Sequence, residues 1–361
     1  LSIFFVILDF DGKNIKKFTA KSLLLLLGTT AISAVVGIVV THLFGLTNSN
    51  LAAAITDSKT EQIANLTSQS FPQFALELVP NNILGSMSTN SGIIQIVIIS
   101  VLFASAARFL LSKNKEHVDK VVDLLRGLKT LVNSVLMNII KLMPYAVVAL
   151  VANTVISNGL EVIRGLAGFI GSIYAGVVIM LLVYVVILLL TGLNPVKFYK
   201  KAFPTLVFAF SSRSSLGTLP YTLETLENEM GVSNKTANFI GSLGTTIGMN
   251  GCAGVFPAIL AVTVAAAAGV ELNLAFYFIT VLVVTLGSIG IAGVPGTATV
   301  AATVTLNGVG LGQYFDKIGA VFGVDPIVDM GRTMLNVCGS MLSAVVVDKW
   351  EGTLNIDKFN K

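Results

Sequence analysis

Charge is what this sequence has least of: of 361 residues only 12% are Asp, Glu, Lys or Arg, against 54% hydrophobic. A soluble domain carries roughly 25% charged residues, so that class is excluded. Mean hydropathy is +0.85. Cysteine is scarce as well. Cys252 and Cys338 both stand in apolar runs; they form neither a disulfide framework nor a zinc spacing and read as small buried residues. Histidine is limited to His42, at the end of an apolar span, and His117, in a basic stretch. Without a histidine in reach or a G-x-S-x-G elbow, the serine cluster near 211–215 is not a hydrolase nucleophile, and the chain is not expected to be an enzyme. No methionine stands at Leu1, so the numbered sequence is expected to lack its N-terminus and at least one earlier span. The apolar opening LSIFFVIL has no basic flank before it and no A-x-A site after it, and does not resemble a secretory signal.

What is present is length without charge. Charged residues are absent from 22–41, 78–107, 142–160, 165–196, 236–270 and 272–315. A helix crosses a hydrocarbon core with about 20 apolar residues. The expectation is an all-α polytopic membrane protein. Its cations are grouped: Lys13, Lys16, Lys17 and Lys21 come before one span, Arg108 to Lys129 follow another, and Lys197, Lys200 and Lys201 a third. Those ends are expected on the cytoplasmic side. Segments 47–90 and 157–164, with Asp57, Glu61, Glu77 and Glu161, are expected outside. Grouped in this way, the net charge of +4 expresses topology and no nucleic acid partner is expected. Gly168, Ser172 and Gly176 recur every fourth residue, which suits close helix packing. The Asn65–Thr67 glycosylation pattern is a match short enough to arise by chance.

Tract 272–315 is too long for one span, and GSIGIAGVPG at 287–296 interrupts it. Each arm is about 15 residues, near 22 Å of helix, too short for a core of about 30 Å. The pattern predicts a re-entrant helical hairpin at about 272–303. SSRSSLGTLP at 211–220 divides a second such interval, predicting a hairpin at about 202–230. Unwound backbone at membrane depth is tolerated where protein or a watery cavity satisfies it, so both tips are expected to face a site. One full span separates the hairpins, so they enter from opposite faces as inverted repeats. Each is followed by a helix expected to be broken by polar residues, at 237–260 and 324–342.

The last of these carries Asp325, Asp329, Arg332, Asn336 and Ser340, spaced 4, 3, 4 and 4 along one helical face. Ionised groups at membrane depth are costly unless paired, and usually functional. The plainer reading is an Asp329–Arg332 pair that only holds a bundle together; the sharper one is a site using both signs of charge.

SSRSSLGTLP, GTTIGMNGCAG, SIGIAGVPG and DMGRTMLNV, in that order, resemble the signature motifs of the dicarboxylate/amino acid:cation symporter family, the glutamate-transporter fold. IGMNGCAGVFPAIL and MGRTMLNVCGSM are most similar to its bacterial L-cystine symporters. The resemblance implies a homotrimer in the bacterial inner membrane, working as an elevator. It places 1–10 and 91–157 in a scaffold, 17–46 and 165–346 in a transport domain, 47–90 in an extracellular loop and 347–361 in a cytoplasmic tail. It implies substrate contacts by Ser214, Ser215, Val294, Pro295, Gly296, Asp329, Arg332, Thr333 and Asn336, with Gly293 also in the second tip. Asp329 would hold an α-ammonium, Asn336 with Ser215 an α-carboxylate, and Arg332 the far end. Arg213, Asn250 and Cys252 are expected to line the pocket.

The implied function is cation-coupled L-cystine uptake. An acidic or neutral amino acid symporter of the same fold and a channel-like anion pathway are the alternatives. Na+ or H+ is the implied coupling ion, with no cofactor and no other metal. A cation would lie among Thr246, Met249, Ser288, Ile289 and Ile291, and a proton on Asp325 or Asp329. In sodium-coupled aspartate carriers of the family the broken helix reads N-M-D-G-T and an aspartate follows four residues after the last helix's asparagine. Here Gly248 to Cys252 and Ser340 stand instead, and Leu26 replaces an aromatic hydroxyl beside Thr29 and Thr30. Fewer coupled cations are the consequence.

Overall fold

The computed structural model describes residues 4, 5, 8, 15–47, 82–88, 93–113, 115–140, 152, 156, 166–291, 293 and 296–361. Most of the expected loop 47–90, most of the remnant 1–10 and the span beyond 140 lie outside the described residues. The helices of ten residues or more are α1 (Ile15–Leu43), α3 (Ile93–Lys113), α4 (Lys115–Ile140), α5 (Ala167–Leu190), α6 (Pro195–Ser212), α7 (Ser215–Glu224), α8 (Asn234–Leu243), α9 (Phe256–Ala267), α10 (Leu274–Gly287), α11 (Ala298–Gly308) and α13 (Asp325–Glu351). Short helices α2 (Ile83–Ser88), α12 (Gly319–Gly323) and α14 (Ile356–Asn360) are described as well, and no strand occurs among the described residues.

Lys17–Leu43, Ala167–Leu190 and Asp325–Glu351 are long and apolar enough to cross a membrane. They are not equivalent. Ala167–Leu190 has mean hydropathy 3.0 and is one-third buried, as suits a helix facing lipid, whereas Asp325–Glu351, at 1.3, is 89% buried. The most polar of the three is thus the axis of the fold, packed by α1, α5, α6, α7 and α8. Continuous from Asp325 to Glu351, it corrects the expectation of a break at 324–342. Pro326 sits in its first turn, where a missing N–H does no harm. Its polar side chains bond to one another and to other elements and leave its backbone ladder intact.

The other three interruptions are real. Helix α6 is capped by Asn194, which accepts from Val196 N at 2.9 Å and Lys197 N at 3.2 Å. It runs to Ser212, turns at Arg213, and returns as α7 with Ser214 as N-cap. Arms of 18 and 10 residues result. In the second hairpin, arms of 14 and 11 residues, α10 and α11, flank the glycine-rich tip. Between the hairpins, α8 stops at Leu243 and the chain resumes only at a wide π turn, Gly251–Val255, that leads into α9. Gly176 of α5 leaves no room for a side chain beside Val255, which explains one member of the small-residue row.

A fully buried carboxylate fastens the base of the first hairpin. Asp348 accepts from Ser233 N at 2.8 Å, Ser233 Oγ at 2.6 Å and Thr353 Oγ1. A second, smaller apolar cluster joins Phe4 and Phe5 to Ala104 of α3 and Val122 of α4, apart from the main core.

Candidate functional site

The three interruptions converge. Gly293 O, in the second tip, accepts from Leu216 N at 3.0 Å and Ser214 Oγ at 3.2 Å, both in the first tip. A Cβ on Gly293 would lie 2.6 Å from Thr245 O and 2.8 Å from Ser215 Cβ, so glycine alone permits this approach. Thr245 belongs to the break after α8. The first tip thereby satisfies a carbonyl of the second, and the break after α8 packs against it.

Beneath them lies a four-charge cluster. Arg332, with no exposure, donates from Nη2 to Asp325 Oδ1 and, at 3.0 Å, to Asp329 Oδ1. Arg213 donates from Nε to Asp329 Oδ2 at 3.2 Å, and its Nη2 lies 3.7 Å from Asp325 Oδ2. Two carboxylates balance two guanidiniums, which is how ionised groups are kept out of water. Arg213 is also the one non-glycine residue with positive φ among the described residues, at 54°. Left-handed backbone costs roughly 1–2 kcal/mol; here it turns the guanidinium of the first tip toward Asp329.

The donors left over define what the cluster lacks. Arg332 Nε and Nη1 and Ser215 Oγ are buried without a hydrogen-bond partner among the described residues. Buried donors ordinarily find acceptors. Arg332 and Ser215 stand on elements that meet at Gly293 and Asp329, and what they lack is oxygen, such as a carboxylate supplies.

Cys252 Sγ lies 3.7 Å from Asp329 Oδ1 and accepts from Asn336 Nδ2 at 3.1 Å. Asn336 Oδ1 is taken by the backbone N–H of Gly251 at 2.8 Å and of Cys252 at 3.2 Å. Asn336 therefore caps the wide turn, and its amide nitrogen, bonded only to a weak sulfur acceptor, is the end available to a ligand. Thr333, one residue from Arg332, is buried. Ser214 is held as the N-cap of α7 by Gly217 N at 2.9 Å. Gly296 is an exposed turn residue with φ 85°, and Val294 and Pro295 lie outside the described residues.

Asn250 is placed away from these charges. Its Oδ1 lies 2.9 Å from Thr30 Oγ1 and 3.4 Å from Thr29 Oγ1, and its Nδ2 donates to Tyr184 OH at 2.5 Å. Both ends of the amide are occupied by neutral hydroxyls. Of the expected cation ligands, Thr246, Met249, Ser288 and Ile291 are buried and Ile289 is exposed. Met249 O accepts from Ala253 N at 2.7 Å, which leaves one lone pair free. No group of three or more His, Cys, Asp or Glu capable of holding a metal occurs among the described residues.

Sequence reading missed three participants. Arg213 was expected only as pocket lining, yet it pairs with a carboxylate 116 residues away. Phe256, whose ring centroid lies 4.3 Å from Arg332 Cζ, read as an ordinary apolar residue. Tyr184 sits in an apolar run where a lone hydroxyl was the only signal.

Comparison with known proteins agrees with this architecture. The model of the sodium:dicarboxylate symporter family matches residues 1–350. An L-cystine uptake protein, TcyP, of Shouchella clausii is 36% identical over 358 residues, covering 96% of this chain and 76% of the relative. TcyP of Bacillus cereus is 34% identical over 359 residues, covering 97% and 76%. An uncharacterized symporter of Haemophilus influenzae is 36% identical over 348 residues, covering 93% and 78%. The chain belongs to the sodium:dicarboxylate symporter family: it is a membrane protein and a secondary transporter, not an enzyme.

Proposed function

We propose that the protein takes up L-cystine across a bacterial inner membrane, coupled to a cation. The observation that carries this reading is a buried carboxylate, Asp329, held by Arg332 Nη2, together with the donors of Arg332 and Ser215 that lack a partner among the described residues. An amino acid with a second amino acid group at its far end offers an ammonium to Asp329 and a carboxylate at each end. Ser215 Oγ and Asn336 Nδ2 take the near carboxylate, and the far one takes a charge-assisted hydrogen bond from Arg332 Nε or Nη1, which lie on opposite edges of the guanidinium. Ser214 and Thr333 shape the pocket. Arg213, paired with Asp329, yields part of that carboxylate to the arriving ammonium. The names of the two TcyP relatives, which the chain matches over 96–97% of its length, support the choice of cystine.

Coupling is expected to use few cations. A hard cation needs several oxygens and net negative charge; the Asn250 cluster has hydroxyl and amide oxygens but no charge. In this reading the backbone around Thr246, Met249, Ser288, Ile289 and Ile291 holds at most one sodium ion. Protons are the other coupling ion, with Asp325 or Asp329 as carrier. In this reading 17–46 and 165–346, with both hairpins, move as an elevator past a scaffold formed by 1–10 and 91–157 of three copies. The separate cluster of Phe4, Phe5, Ala104 and Val122 supports that division.

The test is uptake into proteoliposomes of wild-type protein and Arg332→Ala with cystine, aspartate and S-methylcysteine. Cystine uptake is expected to fall at least tenfold, since a charge-assisted hydrogen bond contributes about 1.5–3 kcal/mol, while the neutral amino acid loses far less. Equal losses would make Arg332 structural. Aspartate outcompeting cystine on the wild type would move the protein to the acidic amino acid carriers.

A further inference from the structure

The chain beyond α13 folds back on the first hairpin. Gly352, at φ 72°, ends α13 and reverses the direction. Asn355 N then donates to Gly231 O at 2.9 Å, and Asn355 Oδ1 caps α14 by accepting from Lys358 N at 2.9 Å. Phe359 of α14 is buried in the main core. Two lysines cross between the elements. Lys201 of α6 donates to Glu229 O at 2.7 Å and to Lys358 O at 2.6 Å, and Lys358 Nζ donates to Glu227 O at 3.1 Å. Glu227 and Glu229 belong to the π turn Thr225–Glu229 that follows α7, where the last carbonyls of a helical run need partners from outside it.

These contacts cover the joints of the hairpin. A hinge absorbs its change of φ and ψ at a few element-terminal residues, and the α6–α7 hairpin is bounded by Gly192 and Gly231, at φ 67° and 72°. Lys349 of α13 donates to Gly192 O at 2.9 Å, and its Nζ lies 3.1 Å from where a Cβ of Gly192 would stand. A Cβ on Gly231 would lie 2.8 Å from Asn355 O and 3.0 Å from Lys358 Cβ. The pair α10 and α11 is bounded in the same manner by Gly269 and Gly310, at φ 70° and 78°. There a Cβ would meet nothing within 4 Å among the described residues. One pair of joints is fastened and the other is open.

We propose that residues 349–360 form a strap that keeps the α6–α7 hairpin closed by fastening both of its joints. With the strap released, the arms can turn at Gly192 and Gly231. The first tip then parts from Gly293 O, which it holds through Leu216 N at 3.0 Å and Ser214 Oγ at 3.2 Å. The buried charges beneath become reachable from the strap's side, so a released strap produces leak of substrate while uptake itself continues. None of this depends on which amino acid is carried.

The experiment combines amide hydrogen exchange on the purified full chain with efflux from proteoliposomes. Lys201→Met with Lys358→Met removes both ammonium groups and keeps their stems; Lys201→Arg with Lys358→Arg keeps charged donors. In the methionine pair, exchange is expected to quicken at least tenfold, on the order of one lost charge-assisted hydrogen bond, both at 225–233 and in the peptide that holds Leu216. Exchange at 335–346 of α13 and 274–287 of α10 should stay as in wild type, and the arginine pair should follow wild type throughout. Proteoliposomes loaded with labelled L-cystine or L-aspartate, whichever the wild type accumulates, are expected to lose label several-fold faster with the methionine pair, initial uptake being little changed. Quicker exchange confined to 225–233 and 353–360 would reduce these contacts to a local cap and overturn the strap. Quicker exchange throughout α13, or a loosened tip with wild-type efflux, would overturn it too. Should the methionine pair fail to purify as a folded protein, Lys358→Met alone carries the same comparison.

Discussion

Asp329 is the residue on which most of the site depends. It receives Arg332 at 3.0 Å and Arg213 at 3.2 Å and lies 3.7 Å from Cys252 Sγ, while only 1% exposed. Asp329→Asn keeps the shape and removes the charge, leaving two guanidiniums around one carboxylate. Uptake of every amino acid is expected to vanish, because each presents the same ammonium. Thermal stability should also fall, since breaking a buried ion pair costs about 3–5 kcal/mol. Both are read on one preparation, by uptake at matched reconstitution and by unfolding in detergent; near-normal uptake would remove Asp329 from the site. The spacing of Asp325, Asp329, Arg332 and Asn336 made their shared face legible in sequence, because helical periodicity is local. The pairing with Arg213 was not legible. It depends on a left-handed turn and on a hairpin packing across α13, neither of which spacing encodes.

At the scale of the element, glycine-rich interruptions announced themselves and helix continuity did not. The helix interruptions near Arg213, between α8 and α9 and between α10 and α11 were legible because glycine and proline within apolar tracts too long for one span leave few other foldings. The unbroken course of α13 was misjudged, since polar residues that bond to neighbouring elements look in sequence like residues that disrupt a ladder. Two substitutions separate the elements' tasks. Gly293→Ala puts a methyl 2.6 Å from Thr245 O and should part the tips. Affinity for all substrates is expected to drop with little change in unfolding temperature, and wild-type affinity would contradict a working contact there. Asp348→Ala removes the acceptor of Ser233 and Thr353 at the hairpin's base. Stability should fall by about 3 kcal/mol, as expected for hydrogen bonds to a charged group, while uptake per folded molecule persists. Loss of uptake with stability unchanged would assign Asp348 to transport itself.

For the whole molecule, composition already excluded a soluble protein, and the central, most polar helix explains how a chain this apolar carries charge at depth: Asp325, Asp329 and Arg332 are buried on a helix packed by α1, α5, α6, α7 and α8. Composition could not tell which spans move. The neutral hydroxyl cage around Asn250 predicts sparse ion coupling, and sodium dependence of uptake should show single-site behaviour or give way to acid stimulation. The most direct test of the account is accumulation of labelled L-cystine in proteoliposomes under imposed sodium or proton gradients, with aspartate as competitor. The account predicts uphill accumulation that collapses with the gradient, a sodium Hill coefficient not above about one, and cystine preferred over aspartate. Accumulation of aspartate in preference to cystine, with a Hill coefficient near that of a three-sodium carrier, would contradict it.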